Sequence, residues 1–414
     1  MNGATGRSRV EVGEPTSALF PALPLDGLRV LDLTTQVGVY CGKLLADAGA
    51  DVIKVEPPGG DALRFKPPFA PGVAAPEASV SFAYYNNNKR GITLDCAVAA
   101  AQPVLERLAA SADAVVASPG PRHPLVGLAV DAERPEWVPR EAVFCAITPF
   151  GRTGPYRNWR ATPFTSFAAS GLMHHVGELD GPPLAMPGQQ IYDSCSTRAA
   201  GAIAAHLLTP ARTGATLDLS AHELGTWHKQ VVERYSLAGR ITNRETNFSP
   251  PPSGIWRCRD GWIDIAAHSP HHWTAFVELL GCPDDLTDDL YADRSMRVML
   301  FDLLAELIGA HLTLASAPEI VARGQSLGLP CALRYLPDEF LHDVQPAARG
   351  TLVSIDHPTL GEITMPGPVG HADPPAVRYR RPAPRLGEAN VEVYVEELGF
   401  TLDQLHTWER DGLV

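Results

Sequence analysis

The sequence predicts an α/β protein: an open, mostly parallel sheet with helices on its faces, followed by a smaller α+β domain. Three observations carry this reading. A strand, a helix and a second strand fit within residues 28–55. The same alternation then continues to about residue 219. Finally, a hairpin with an Asp260-Gly261 turn opens a different pattern beyond a polar, Pro-rich stretch.

Residues 28–33 (LRVLDL) form an apolar, strand-prone run, and residues 34–38 a turn. Small and apolar residues then recur at helical spacing from Cys41 to Ala48, with Gly49 as the C-terminal stop. Residues 51–55 (DVIKV) are a second buried strand, ended by residues 56–60 (EPPGG). A right-handed crossover makes the two strands parallel. Residues 92–94, 114–117 and 144–148 read as further strands and 97–111 as a helix, which extends the unit into a Rossmann-like, doubly wound sheet. Residues 197–208 (TRAAGAIAAHLL) make a small-residue helix suited to close packing, with a strand at 215–219. Residues 237–254 are polar and rich in Pro and Asn, as in a linker. Beyond them, residues 256–267 (WRCRDGWIDIAA) read as a hairpin. Helical patterns follow at 272–280 and 299–314, strand pieces at 351–355 and 361–365, and a last helix at 402–411 before Gly412.

Composition narrows the function. The chain has 414 residues, 45% of them hydrophobic, which supplies a large core and argues against disorder over most of its length. A formal charge of −13 speaks against nucleic acid as a partner, because phosphate backbones need a basic surface. A local cluster of Lys and Arg still suffices for a small anion. The seven cysteines, at positions 41, 96, 145, 195, 258, 282 and 331, are scattered, odd in number and never in CxxC spacing. That pattern points to reduced thiols in a cytoplasmic protein rather than to disulfides or zinc. No run approaches the ~20 apolar residues of a membrane span. Residues 1–16 include acidic residues and have no apolar core, so the stretch 1–24 reads as a disordered leader rather than a signal peptide.

Several common motifs are missing. Thr34-Thr35-Gln36-Val37-Gly38 occupies the turn where a nicotinamide dinucleotide site would place GxGxxG, and Gly59-Gly60 lacks the Gly-Lys-Ser/Thr of a P-loop. Residues 167–171 (FAASG) lack the first Gly of a nucleophile elbow. His222-Glu223 and His228 do not make HExxH, and His271-His272 are adjacent, so no metal site is expected. Asp193, just ahead of the 197–208 helix among Ser194, Ser196 and Thr197, has on spacing alone the look of an N-terminal helix cap.

A series of segments gives Asp193 another meaning. Residues 25–33 (LDGLRVLDL), 44–56 (LLADAGADVIKVE), 86–95 (NNNKRGITLD), 148–156 (TPFGRTGPY), 169–172 (ASGL) and 177–184 (GELDGPPL) come in this order, followed by Asp193, residues 212–214 (RTG) and 384–388 (PRLGE). Together they resemble the class III CoA-transferase family, which includes formyl-CoA transferase and the α-methylacyl-CoA racemases, over residues 25–414. The resemblance implies a large CoA-binding domain over 25–225, a linker over 226–254, a small domain over 255–340, and a C-terminal segment, 341–414, that returns to the large domain. It also implies an interlocked homodimer. The substrates it implies are an acyl-CoA and a small carboxylic acid, with no permanently bound cofactor expected.

The resemblance makes Asp193 the nucleophile. Its carboxylate would attack the thioester, giving a mixed anhydride and free CoA thiolate, and the thiolate would return to form an aspartyl-CoA thioester. An acceptor acid reverses the sequence. Lys89 and Arg90 are the implied CoA-phosphate contacts, with Lys54 and Arg64 as helpers. Gln36 and Val37 should line the pantetheine and thioester end. Some segments depart from the family pattern. The 34–41 turn is one residue short and carries Val39 where Pro is usual. Ala117-Ser118-Pro119 replaces Glu-Asn-Phe, and residues 249–253 (SPPPS) replace a glycine-rich lid. Racemases also carry a His about 30 residues before the aspartate. Residues 160–164 (RATPF) occupy that place here, and His174 and His175 lie past it. CoA transfer therefore ranks above 2-methylacyl-CoA racemisation, and above a diverged, non-catalytic acyl-CoA-binding protein.

Overall fold

The structure is a computed structural model that describes residues 22–120, 134–178, 181–210, 213–224, 235–239, 241, 249–368 and 370–414. The leader up to residue 21 and most of the 226–254 linker lie outside the described residues. The chain divides into two units, one within Met1–Thr242 and Ala347–Val414 and the other within Asn243–Pro346.

The first unit is built on a six-stranded parallel sheet. Its strands are β1 (Arg29–Leu33), β2 (Asp51–Glu56), β3 (Arg90–Thr93), β4 (Ala114–Ala117), β5 (Val143–Thr148) and β6 (Thr216–Ser220). They lie in the order β3-β2-β1-β4-β5-β6. Alternation along each strand sends side chains to opposite faces. Val30, Ala114, Val116, Cys145 and Ile147 join one core with α1 (Val39–Asp47) and α5 (Gln190–Leu207). Leu31, Leu33, Val115, Phe144 and Ala146 join the other. That second core also takes in α3 (Gln102–Ala110), a π-helical turn at Val391–Glu397 and the final helix Leu402–Arg410. The open α/β class read from the alternation is thus the fold observed.

Two short helices complete the part that matters for function. Helix α2 (Val80–Asn86) is capped by Ser79, whose Oγ accepts from Phe82 N at 3.2 Å. Helix α4 (Pro163–Ala169) opens on a Thr162/Thr165 capping box with Pro163 at its first position. Helix α5 starts at Gln190, seven residues before the start expected from the small-residue pattern. Asp193 therefore lies inside its first turn, with its N–H already donating to Gln189 O at 3.0 Å. The expectation of a capping Asp193 is corrected: the cap position is Gln189, and no side chain caps the helix.

The second unit pairs a three-stranded antiparallel sheet, Gly254–Arg257, Trp262–Ile265 and Cys331–Leu333, with helices that include Pro270–Leu279, Phe301–Leu314 and Ala317–Ser326. Asp260, in the hairpin turn, accepts from Ala317 N at 2.7 Å and so fixes the start of the last of these. Residues 249–253 are tied into this unit: Ser253 Oγ accepts from Ala267 N at 2.8 Å, and Trp256 Nε1 donates to Pro252 O at 2.7 Å. Among the described residues no single helix is long and apolar enough to cross a membrane.

Candidate active site

The strand order reverses between β1 and β4, and the region beyond the carboxyl ends of these strands is the usual ligand position of an open α/β sheet. The turn after β1 occupies it. Thr35 N donates to Ser118 Oγ, beyond β4, at 3.3 Å. Val37 is buried, and its carbonyl accepts from Ser196 Oγ of α5 at 3.2 Å. The turn is therefore clamped from two sides. Gly38 has no room for a side chain, since a Cβ there would lie 2.8 Å from Thr34 Cγ2.

Beneath this turn lies a layer of buried charge. Lys89 is fully buried and donates to Asp32 Oδ2 at 2.8 Å, Val39 O at 3.0 Å and Asn86 Oδ1 at 3.0 Å. Lys54, within β2, donates to Thr34 O and pairs with Asp61 at 3.0 Å. Arg64 makes a two-pronged contact with Glu56, at 2.6 and 2.8 Å, and its guanidinium stacks 3.7 Å over the Phe82 ring of α2. Arg90 pairs with Asp51 at 2.6 Å and with Glu392 and Glu397 of the returning C-terminal segment. Burial pushes the Asp32 carboxyl up, but Lys89 and Lys54 outweigh it and hold it below the ordinary value. Each of the four cations named as a phosphate contact thus already has a carboxylate partner.

The Asn86-Asn87-Asn88 run belongs to the same layer. Asn87 and Asn88 donate to Asp47 Oδ1 at 3.2 and 2.7 Å, and Asn88 also donates to Arg378 O at 2.8 Å. Asn88 adopts φ +66, a left-handed conformation that Asn tolerates better than most residues. The motif joins α1, α2 and the C-terminal segment.

Above this layer, α2 and α5 bring a phenol and an amide to Asp193. Tyr85 Oη donates to Asp193 Oδ2 at 2.9 Å, and Gln189 Nε2 donates to Oδ1 at 2.9 Å. Gln189 Oε1 in turn accepts from Gln36 Nε2 at 3.0 Å, and Gln36 Oε1 accepts from Lys66 Nζ. Of the named residues, Gln36 is connected to Asp193 through Gln189, and Val37 lies in the same turn. The four cations lie in the layer that supports it. Burial pushes the Asp193 carboxyl above its ordinary value, although both hydrogen bonds pull it down. Tyr40 and Tyr84 flank Tyr85 edge-on, with ring centroids 5.8 and 5.0 Å from its own. A half-buried carboxylate of raised basicity, gripped by neutral donors, is suited to nucleophilic attack.

Tyr85, Gln189 and Lys66 are site residues that the sequence reading did not name. Tyr85 had one usable signal, its place immediately before the Asn run. Gln189 stands four residues before Asp193, one helical turn away, but that signal depends on placing the start of α5 correctly. Lys66 follows the Pro-Gly-Gly turn with nothing in its spacing to mark it. Among the described residues no cluster of His, Cys, Asp and Glu could hold a metal ion, and all seven cysteines are free thiols.

The fold is an open α/β sheet with a gripped carboxylate at its candidate site, and comparison with known proteins supplies the class. Residues 25–390 match the model of CoA-transferase family III, so the chain belongs to that family and is a CoA-transferase. It is 31% identical to succinyl-CoA–D-citramalate CoA-transferase of Chloroflexus aurantiacus, covering 94% of this chain and 98% of that one. It is 29% identical to succinyl-CoA:glutarate CoA-transferase of Mus musculus, covering 96% and 92%. Among solved structures, a CaiB/BaiF family protein from Brucella suis superposes with a TM-score of 0.79 at 26% identity, over 91% of this chain and all of that one. Rv3272 of Mycobacterium tuberculosis gives a TM-score of 0.75 at 26% identity, over 90% and 99%.

Proposed function

We propose that this protein transfers CoA from an acyl-CoA to a carboxylic acid through covalent intermediates on Asp193. The observation that carries this reading is the grip of Tyr85 and Gln189 on the two oxygens of a half-buried carboxylate. Attack by Asp193 on the thioester carbonyl expels CoA thiolate and leaves a mixed anhydride. The thiolate then attacks the aspartyl carbonyl, the donor acid departs as its carboxylate, and an aspartyl-CoA thioester remains. An acceptor acid runs these steps in reverse. Neutral donors favour this chemistry, because a cation against Asp193 would lower its nucleophilicity.

In this reading Gln36 and Val37 line the thioester end. Lys54, Arg64, Lys89 and Arg90 serve the CoA site by fixing the turns around it rather than by giving up their carboxylates to phosphate. The relatives named for succinyl-CoA make small dicarboxylic acids the first acceptors to screen. The homodimer belongs to the same proposal, and light scattering on the purified protein reads it directly.

The test is hydroxylamine trapping during turnover, followed by peptide mass analysis. A hydroxamate at Asp193 is expected, and an unmodified peptide under turnover defeats the proposal. A racemase would need two bases on the α-carbon, whereas the side chains that bond Asp193 are a phenol and an amide. Deuterium wash-in at the α-carbon of a 2-methylacyl-CoA, with no acceptor acid present, would favour that second reading.

A further inference from the structure

We infer that Tyr85 is a catalytic residue of the transfer, the donor that holds the oxyanion formed on the Asp193 carboxyl when CoA thiolate attacks it. This rests on the covalent reading above and adds a step-specific role to it. The aspartyl carbon must become tetrahedral each time the thiolate adds or leaves. As the sulfur–Cγ bond forms, the carbonyl π pair moves onto one carboxyl oxygen. As the intermediate collapses, the carbonyl re-forms and the Cγ–O bond to the acyl group breaks, its electron pair leaving with the departing carboxylate. Tyr85 keeps its proton throughout and only strengthens a hydrogen bond already in place.

The geometry satisfies what this step requires. Tyr85 Oη lies 2.9 Å from Oδ2, within the donor distance of an oxyanion site. Gln189 Nε2 lies 2.9 Å from Oδ1, so one oxygen can bridge to the acyl group while the other stays bonded. The Tyr85 ring is not free to swing. It stands in the last turn of α2, wedged between the Tyr40 and Tyr84 rings, and α2 is anchored through Phe82 under the buried Arg64 guanidinium. Burial and the neighbouring Asp193 charge hold the phenol well above its ordinary range, so it donates at any working pH.

Single-turnover trapping of wild type, Asp193→Ala and Tyr85→Phe with hydroxylamine tests this. Wild type should give the Asp193 hydroxamate and Asp193→Ala none. Tyr85→Phe should form the aspartyl thioester about 100-fold more slowly, the usual loss when one oxyanion donor is removed. Its kcat and kcat/KM should fall together, with KM for both substrates within about twofold of wild type. Wild-type trapping combined with an unchanged rate in Tyr85→Phe, or a defect confined to KM, overturns the role of Tyr85. Absence of an adduct in wild type instead strikes the covalent reading itself. If Tyr85→Phe does not fold, 3-fluorotyrosine at the same position gives a second reading. The more acidic phenol should hold or raise the rate, and a tenfold loss overturns the proposal.

Discussion

The Lys89 ammonium lies 2.8 Å from Asp32 Oδ2, with neither side chain exposed to solvent. All three of its protons are committed, to Asp32, the Val39 carbonyl and Asn86. The pair joins the centre of β1 to the end of the Asn run and holds the turn that carries Gln36 from below. Removing one member would strand a charge in the protein interior.

Lys89→Met should therefore cost stability before it costs substrate affinity. Breaking a buried pair from one side typically destabilises by about 3–5 kcal/mol. Denaturant unfolding should show a midpoint shift of that size, while KM for acyl-CoA in the folded fraction stays near wild type. A raised KM with unchanged stability would return Lys89 to the phosphate-binding role that the family resemblance implies.

Gly42 should behave as part of the same unit. A Cβ at this position would lie 2.3 Å from Asp32 Oδ2, closer than any real contact, and a tight 3.1 Å from Lys89 Nζ. Gly42→Ala should lose about 1–3 kcal/mol, the range for overpacking a well-packed site. Because both substitutions disturb one contact, the Gly42→Ala/Lys89→Met double variant should lose less than the sum of the two. Denaturation of the four proteins in parallel measures the difference.

These contacts show what could be read from the chain and what could not. The sheet was legible because short, continuous apolar runs and βαβ spacing are local, and residues 114–117 read as a strand match β4, buried along its whole length. The start of α5 was not legible. Gln189 to Ser196 is polar, and a polar first turn looks like a loop until Ile191 and Cys195 are seen against the sheet. Asp193 stood out as a candidate through its neighbouring segments, which is a matter of order along the chain. Tyr85 was not, because its bond to Asp193 spans 108 positions and exists only once α2 and α5 are packed. The basic residues show the same limit. A Lys or Arg after a strand looks like an anion contact, and only the fold reveals that Asp32, Glu56, Asp51 and Asp61 already face them.

Lys66 tests whether the chain of side chains leading to Asp193 works as one. Its ammonium bonds Gln36, which bonds Gln189, which bonds Asp193. Lys66→Met frees Gln36 to rotate and loosens Gln189, so kcat should fall about tenfold, on the scale of one misaligned catalytic contact. Lys66 is only half-buried and, among the described residues, its ammonium bonds an amide rather than a carboxylate, so the melting temperature should hardly change. Lys66→Arg should recover part of the rate, read by steady-state kinetics. An effect on KM for the acid alone would place Lys66 on the substrate instead.

Asp193 should make the fold less stable at neutral pH than it need be. Burial raises its carboxyl above the ordinary value, so between the unfolded and folded pKa the native state binds more protons than the unfolded chain. Stability then falls as pH rises through that window, and above it the full cost of holding an ionised carboxylate in a half-buried site remains. Asp193→Asn removes the charge and keeps both contacts, with its Oδ1 accepting from Gln189 and its Nδ2 donating to Tyr85. The variant should be inactive, yet melt at a higher temperature than wild type at pH 7. The gap should close below about pH 4, where the carboxyl is neutral in both states. Thermal unfolding of the two proteins across pH 3.5–8 measures this directly. A variant less stable than wild type at pH 7 would mean that Asp193 holds the structure together rather than being stored there, at a cost in stability, for reaction.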